Sequence, residues 1–392
     1  MRAVLIAPSE WPKLSEPQQN ALLTWAAAGG DLIVVDGEPA TIFSKTQPHV
    51  LQTDEKGSIH YFFGRVYSAQ SASITGAGLD ATFQAARRAP EESSLVLPVN
   101  RSLSWGQIGE RGFQLPIPGV NGVRAAAYLW ILLIFTLLIG PANYIVLWRK
   151  RRQPLMVVTV PLISATFVAM LAGYAIAGEG FGVSARAATF TILDQAGNHA
   201  ATRASISLYA AGMTPSGGLS FPRDTAVFSM GTDGRGIREE SLDLTTVQRF
   251  TSGMLRARLP ANFQEISFRP ARERLNFSQD SSGIQVFNGL GVAVNQLYYR
   301  EHGALYALTS ALPSGTKARL RPENSNVIPA SFKELLKSAG PSSERFQYAV
   351  DRLADNSYAA VLERSPFWDA GVSSFDERGS LHFVIGLLER QP

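Results

Sequence analysis

The sequence predicts a multidomain α+β membrane protein. In this prediction a two-helix transmembrane hairpin separates an N-terminal α/β domain from a C-terminal antiparallel β-sandwich with two helices. Three observations support it: two uncharged apolar segments lie close together, a strand–helix–strand pattern precedes them, and a series of short strands follows. The predicted boundaries are residues 1–124 for the α/β domain, 125–177 for the hairpin and 178–392 for the β-rich domain.

The hairpin prediction depends on two uncharged segments of 24 residues each, Ala125 to Trp148 and Pro154 to Ala177. At about 1.5 Å of rise per residue, each reaches roughly 36 Å, which exceeds a hydrocarbon core of about 30 Å. Neither segment has the polar stripe that is typical of a helix buried in a soluble protein. The sequence therefore predicts the lipid bilayer as one partner of this chain.

The connection between the two spans predicts the orientation of the hairpin. Arg149, Lys150, Arg151 and Arg152 are four basic residues in a five-residue turn, which favours a cytoplasmic turn. We therefore expect a multi-pass membrane protein with the turn in the cytoplasm and both termini extracytoplasmic. The formal net charge of the chain is +4, which this cluster alone accounts for, so no broad basic surface is predicted for nucleic acid.

Four residues inside the spans are expected to interrupt a helix or to pair across the hairpin. Gly140 and Pro141 lie within the first span, and we expect the helix to kink there. Asn143 and Thr159 lie equally far from the turn, so the hairpin brings them to the same depth. An interhelical hydrogen bond worth about 1 kcal/mol is expected between their side chains.

Small residues recur every four positions along the second span, at Ala165, Ala169, Gly173 and Ala177. Such a stripe allows another helix to approach closely. It predicts packing against another membrane protein or a second copy of this chain. Two alternatives stay open: the stripe packs on the first helix of the same hairpin, or it reflects the high Ala and Gly content of membrane helices.

The N-terminal domain is predicted to open with a parallel βαβ unit. Ala3 to Ala7 and Leu32 to Val35 are uninterrupted apolar strands. The helix between them is expected to begin at Ser15, with Gln18 completing a capping box, and to end at Gly29. Further strands are predicted at residues 58–68 and 94–99.

The C-terminal domain shows short alternating or apolar runs, which are typical of an antiparallel sandwich. Helices are predicted at residues 331–339 and 343–355. Strands are predicted at residues 188–193, 205–210, 225–229, 254–259, 265–269, 284–287, 292–299, 304–309, 358–363 and 381–387.

Two sequence segments resemble a family of bacterial two-span membrane proteins. VLIAPSEWPKLSEPQQNALLTWAAAGGDLIVVDG, from Val4 onward, is similar to a glutamine-amidotransferase-like (flavodoxin-like) module. In that family the module precedes a hairpin with the signature GPxNYxVLxRxxR, which is present here from Gly140 to Arg152. The resemblance implies a partial flavodoxin-like fold for the first domain and an outward β-rich domain after the hairpin. Longer relatives carry a signal peptide and the first half of the module, so we expect this chain to be an N-terminally truncated member.

The sequence predicts no catalytic, cofactor-binding or metal site, and no cofactor. The chain contains no cysteine, which excludes disulfides, thiolate metal sites and the Cys-His-Glu chemistry of true amidotransferases. Its five histidines are scattered, with no pair at the spacing of metal ligands on a helix. Ser314 and Lys317 have the Ser-x-x-Lys spacing of penicillin-binding enzymes, but Pro313 and Gly315 favour a β-turn there.

The leading functional hypothesis is a non-enzymatic accessory or scaffold protein of a bacterial cytoplasmic membrane assembly. A more specific version is an auxiliary subunit of an ABC transporter, since outward α/β modules of this kind occur beside exporters. One alternative is a cell-envelope hydrolase whose catalytic part is missing from this chain. Another is an extracytoplasmic ligand sensor.

Overall fold

The computed structural model describes residues 3–42, 52–53, 59–70, 115–120, 125–179, 182–212, 214, 217–230, 241–281, 283–340 and 343–388. The strand predicted at 94–99 lies outside these residues. The helices are α1 (Glu16–Ala27), α2 (Ala125–Leu137), α3 (Asn143–Arg149), α4 (Met156–Glu179), α5 (Ala330–Ser338) and α6 (Ser343–Asp351). The strands are β1 (Ala3–Ile6), β2 (Asp31–Val35), β3 (Gln52–Thr53), β4 (Ile59–Tyr61), β5 (Gly64–Ala69), β6 (Val183–Asp194), β7 (His199–Ala210), β8 (Leu219–Phe221), β9 (Thr225–Met230), β10 (Ser241–Asp243), β11 (Gln248–Ser252), β12 (Pro260–Pro270), β13 (Arg274–Asp280), β14 (Gly283–Gly289), β15 (Val294–Glu301), β16 (Ala304–Ala307), β17 (Lys317–Arg319), β18 (Arg321–Pro322), β19 (Ser357–Leu362), β20 (Asp376–Glu377) and β21 (Leu381–Leu387).

The N-terminal domain contains the predicted parallel βαβ unit, because β1 pairs with β2 in parallel and α1 connects them. The backbone N–H of Ser15 donates to Gln18 Oε1 at 2.9 Å, so the predicted cap is present at the start of α1. Gly29 follows the helix with a φ of 116°, a conformation that favours glycine. The sheet has the order β1-β2-β5-β4-β3.

The single strand predicted at residues 58–68 is wrong, because the chain reverses in its middle. Ile59–Tyr61 and Gly64–Ala69 form an antiparallel hairpin, and Phe62 at the turn has a φ of 52°. The aromatic residues of this segment predicted one continuous strand. In the structure, burial of Phe62 and Phe63, which are 3% and 1% exposed, stabilises a turn instead. The N-terminal sheet is therefore mixed, with parallel β1, β2 and β5 and antiparallel β4 and β3.

The C-terminal domain is built on one large sheet with the order β18-β16-β15-β19-β21-β6-β7-β12-β9, to which β20 adds beside β6. The predicted sandwich is not fully antiparallel, because β21 and β20 both pair with β6 in parallel. The sequence LHFVIGL of β21 explains its central position. Apart from His382, its residues are apolar on both faces, as expected for a strand covered on both sides.

The strand predicted at residues 254–259 is also wrong. The segment is irregular and connects β11 to β12, and only Met254 is fully buried within it. Pro260 then begins β12, an 11-residue strand paired with β7 on one side and β9 on the other. The apolar residues of MLRARL predicted a strand, but no neighbouring strand of the described chain pairs along its length.

Different layers cover the two faces of the large sheet. Odd-numbered residues of β6, including Ala187 and Leu193, face two small sheets, β10-β11-β8 and β13-β14-β17. Even-numbered residues such as Phe190 and Ile192 face the opposite way. Phe190 packs against α5 and α6, and Ile192 packs against the N-terminal domain.

The N-terminal domain packs directly onto the large sheet. The ring of Phe62 meets that of Phe268 edge to face at 5.1 Å. Arg203 of β7 donates a hydrogen bond to the carbonyl of Ala28, just beyond α1, at 3.1 Å, and its guanidinium lies 5.0 Å from the ring centre of Phe63. Cations stabilise the carboxyl end of a helix. The domains before and after the hairpin thus share one apolar interface, so they lie on the same side of it.

Candidate functional site: the apolar hairpin and the end of the sheet it enters

Two helical stretches, Leu129–Arg149 and Gln153–Leu171, are long and apolar enough to cross a membrane. Both have a mean hydropathy of 2.1. The buried share of their most apolar window is 6% and 0%, which distinguishes them from the core helices of a soluble domain. Large side chains such as Trp130, Val157 and Leu162 are 65%, 79% and 64% exposed. The hairpin therefore presents an apolar surface that the described part of the chain leaves uncovered.

The hydrogen bond expected within the hairpin is confirmed. Asn143 Nδ2 donates to Thr159 Oγ1 at 3.0 Å, and Asn143 is 9% exposed. The rings of Phe135 and Phe167 pack at 4.6 Å further from the turn. A polar contact and an aromatic contact therefore take part in joining the two helices.

The expected interruption of the first helix takes the form of a π-helical segment. Leu138–Ala142 is π-helical, and it contains Gly140 and Pro141. Proline cannot donate the backbone hydrogen bond of an α-helix, and a locally wider turn accommodates the missing donor. The segment separates α2 from α3, which begins at Asn143.

The basic turn closes α3 with a Schellman motif. The N–H of Arg152 donates to the carbonyl of Leu147 at 3.0 Å, and the N–H of Arg151 donates to that of Trp148 at 3.0 Å. Arg151 takes the left-handed position with a φ of 53°, which glycine usually occupies. All four basic side chains of the turn are exposed, so their charges project from the tip of the hairpin: Arg149, Lys150, Arg151 and Arg152.

The predicted small-residue stripe of α4 is not covered by the first helix. Ala165, Ala169 and Gly173 are exposed, and a Cβ added to Gly173 would meet no atom within 4 Å. Ala177 continues the repeat in the last turn of α4. At Ala165, Ala169 and Gly173, the structure therefore excludes the alternative that the stripe packs on the first helix of the same hairpin.

Replacing Asn143 with valine is expected to weaken the hairpin by about 1 kcal/mol, because the amide loses its interhelical partner. The free energy of unfolding in bicelles would measure this loss. Thr166→Val is the matched control, since Thr166 Oγ1 donates to Leu162 O of its own helix at 2.8 Å. Equal stabilities of the two variants would contradict a stabilising role for the Asn143–Thr159 bond.

Both connections to the hairpin leave from one corner of the large sheet. Ile117 and Val120, shortly before α2, pack against Tyr209 and Ala211 at the end of β7. Gly182, shortly after α4, accepts a hydrogen bond from the N–H of Ala211 at 3.2 Å. This corner is the start of β6 and the end of β7, so it faces the hairpin. The docked N-terminal domain contacts Ile192, about 30 Å further along β6 at 3.3 Å per residue.

The structure also contains a buried polar network that sequence reasoning missed. Thr189 Oγ1 lies 2.9 Å from His382 Nδ1, and His382 Nε2 lies 2.8 Å from Glu377 Oε1. The order hydroxyl–imidazole–carboxylate is that of a nucleophilic triad. However, Thr189 and His382 are both 0% exposed, and the ring of Trp368 lies over the imidazole at 6.2 Å. A substrate cannot reach the hydroxyl in this arrangement, whereas the contacts satisfy polar groups in the core.

The carboxylate of this network has a lowered pKa. Burial raises the pKa of Glu377, but the hydrogen bond and charge of His382, with smaller contributions from Ser380 and Arg364, outweigh burial and leave it below the usual range. A histidine within the otherwise apolar strand LHFVIGL was the available sequence signal for this network.

Glu265 is a second buried carboxyl on the same face of the sheet. It is 2% exposed, and its Oε2 accepts the backbone N–H of Asp369 at 3.1 Å. Burial raises the pKa of Glu265 to about 8; the hydrogen bond from the Asp369 N–H lowers it by less, the charge of the Asp369 carboxylate raises it, and Arg269 lowers it. The protonated form of this side chain therefore predominates in the folded protein at pH 7.

The remaining residues that the sequence offered as candidates for catalysis or metal binding do not form a site. Thr316 donates its N–H and its hydroxyl to Pro313 O, and Gly315 has a φ of 73°, so Ser314 lies within the predicted β-turn and Lys317 follows it. Within the described ranges, no group of three or more His, Asp or Glu side chains is placed to hold a metal ion.

Comparisons with known proteins identify no family. No protein-family model matches the chain, and no curated protein matches it. Among solved structures it is similar to the yeast delta-COP-I mu-homology domain, with 8% identity, a TM-score of 0.22 and coverage of 53% of this chain and 98% of that domain. The same domain in complex with a Dsl1 WxWxV peptide gives the same values. At this TM-score the likeness carries no argument about fold or function.

Proposed function

We propose that this chain is a non-enzymatic, membrane-anchored scaffold subunit of a bacterial cytoplasmic membrane assembly. The observation that carries the proposal is the uncovered stripe of α4, where Ala165, Ala169 and Gly173 are exposed on an apolar helix. A helix of another subunit can approach such a surface closely, and van der Waals packing drives association in lipid. Two helices are too few to enclose a solute path, so the hairpin serves as an anchor and a contact surface.

The arrangement of the two domains supports a scaffold role. They pack together through Phe62, Phe268 and Arg203, so they form one body on one side of the hairpin. The exposed basic turn favours a cytoplasmic location for the opposite end, which makes this body extracytoplasmic. In the specific version of the proposal the partner is an ABC transporter, and the glutamine-amidotransferase-like module is a docking module. The chain has no cysteine for amidotransferase chemistry.

The proposal is tested by purifying the tagged full chain from native membranes in mild detergent and identifying co-purified proteins by mass spectrometry. We expect a stoichiometric membrane partner with the native chain and its loss with Gly173→Ile, because the isoleucine side chain fills the stripe. Val168→Phe is the matched control, since Val168 is 63% exposed on the same helix but lies off the stripe. A native chain that purifies alone as a monomer would contradict the scaffold function. Recovery unaffected by Gly173→Ile would show that the stripe is not the contact.

A further inference from the structure

The end of the large sheet that faces the hairpin carries an exposed irregular segment, residues 256–259, between β11 and β12. Its position is set by backbone contacts. The N–H of Arg258 donates to Ala210 O at 2.7 Å, and its Nε donates to Ala211 O at 3.4 Å. The N–H of Ala211 donates in turn to Gly182 O. The segment is thus held beside the residue at which the chain enters the sheet from the hairpin.

This position is close to the end of the second helix. Gly182 lies three residues after Glu179, the last residue of α4. Because each residue spans at most about 3.6 Å, the anchor of the segment is within roughly 11 Å of the helix end. When the hairpin spans a bilayer, residues 256–259 therefore lie close to the bilayer surface.

The side chains at this end have the composition of an interfacial membrane contact. Leu259 is 55% exposed. Phe375, on the other side of β6, is 36% exposed and directly precedes β20, which pairs with the start of β6. Arg256 and Arg258 form no ion pair with a carboxylate of the described residues. Exposed apolar side chains beside guanidinium groups that form no ion pair are suited to an anionic headgroup region.

We propose that residues 256–259 and Phe375 form a membrane-contacting rim that enters the headgroup region of a bilayer containing anionic phospholipid. The apolar side chains of Leu259 and Phe375 bury in the interface, while the two guanidinium groups bind lipid phosphates. The rim holds the extracytoplasmic body at a fixed height and tilt above the bilayer. The inference rests on insertion of the hairpin, and it adds a second, peripheral contact between the chain and the membrane.

The absence of cysteine from the chain allows a direct test. Leu259→Cys and Val327→Cys are each labelled with an environment-sensitive nitrobenzoxadiazole probe in the full chain, reconstituted in nanodiscs that contain a nitroxide-headgroup lipid. Val327 is the matched control: it is 56% exposed, and it follows Asn326, whose carbonyl accepts a bond from Arg300 at the far end of the sheet. We expect the label at 259 to lose about half of its fluorescence and the label at 327 to lose little. Equal, weak quenching at both positions would overturn the proposal.

A third label separates this inference from the membrane insertion on which it rests. Val168→Cys lies midway along α4 and is expected to be quenched by a lipid that carries the nitroxide in its acyl chain. If position 168 is not quenched, the hairpin does not insert and both proposals fail. If 168 is quenched and 259 is not, only the rim is overturned.

The lipid charge is tested with Arg256→Glu, and the charge reversal Arg321→Glu on exposed β18 is the control. In anionic nanodiscs we expect Arg256→Glu to reduce quenching at 259 several-fold, to the level of native protein in zwitterionic nanodiscs, and Arg321→Glu to leave it unchanged. High salt should act in the same direction, because it screens exposed charges. Quenching that is insensitive to Arg256→Glu and to lipid charge would overturn the assignment of anionic phospholipid.

Discussion

Replacing Phe268 with aspartate is expected to release the N-terminal α/β domain from the large sheet. Phe268 is 9% exposed, and its ring contacts Phe62 edge to face at 5.1 Å and stacks on His199 at 5.1 Å. Loss of a buried phenylalanine costs about 3–5 kcal/mol, and the introduced carboxylate adds a cost of desolvation. Since each 1.4 kcal/mol is a factor of ten, amide hydrogen exchange in β4 and β5 should accelerate by about 100-fold or more.

The same experiment distinguishes release of the domain from general unfolding. Amides of β19 and β21 lie in the centre of the large sheet, and their exchange should remain slow in Phe268→Asp. Phe228→Asp is the matched control, because Phe228 is 38% exposed on β9 and should tolerate a carboxylate. Protection of β4 and β5 that survives Phe268→Asp would mean that Arg203 and the other contacts suffice for docking.

Replacing Glu265 with glutamine is expected to stabilise the protein at pH 9 by a few kcal/mol and to have little effect at pH 5. Burial raises the pKa of Glu265 from 4.5 to about 8 in the folded state. Between these values the folded protein keeps a proton that the unfolded chain has lost. The stabilisation by this group is therefore complete below about pH 4.5 and is lost as the pH rises through about 8. Glutamine keeps an acceptor for the N–H of Asp369 without ever ionising.

Thermal melting of the full chain in micelles between pH 5 and pH 9 would measure this difference. The melting temperature of the native chain should fall relative to that of Glu265→Gln as the pH rises. Glu334→Gln removes a carboxylate from the exposed face of α5 and serves as the control, with a melting curve that follows the native chain. A constant offset between Glu265→Gln and the native chain at all pH values would show that Glu265 does not titrate in this range.

Local sequence patterns were sufficient to predict features that depend on residues close together in the sequence. The cap at Ser15 and Gln18 involves residues within one helical turn, and the structure contains it. The depth of Asn143 and Thr159 follows from counting residues away from a short turn, and their side chains are hydrogen-bonded. Such features depend on spacing alone, so no knowledge of the remaining fold is needed to predict them.

Local patterns gave wrong predictions where the structure of a segment depends on residues far away in the sequence. Residues 254–259 have the apolar content of a strand, but only Ala257 forms a backbone bridge, to Ala210, so the segment is an irregular connection with Met254 buried and residues 256–259 exposed. Residues 58–68 were predicted to form one strand, but burial of Phe62 and Phe63 against the docked sheet favours a hairpin. The parallel pairing of β21 with β6 joins residues about 190 positions apart, and nothing in either strand specifies the direction of its neighbour.

The amino-acid sequence by itself determined the α+β class, the two apolar helices and the basic turn between them, because composition and spacing over a few residues specify these features. Three properties became apparent only in the folded chain: the two flanking domains form one body, both connections leave from one corner of the large sheet, and the stripe of α4 is uncovered. These properties arise from side-chain packing between segments far apart in the chain. Their free energy depends on the complementarity of surfaces that exist only after folding.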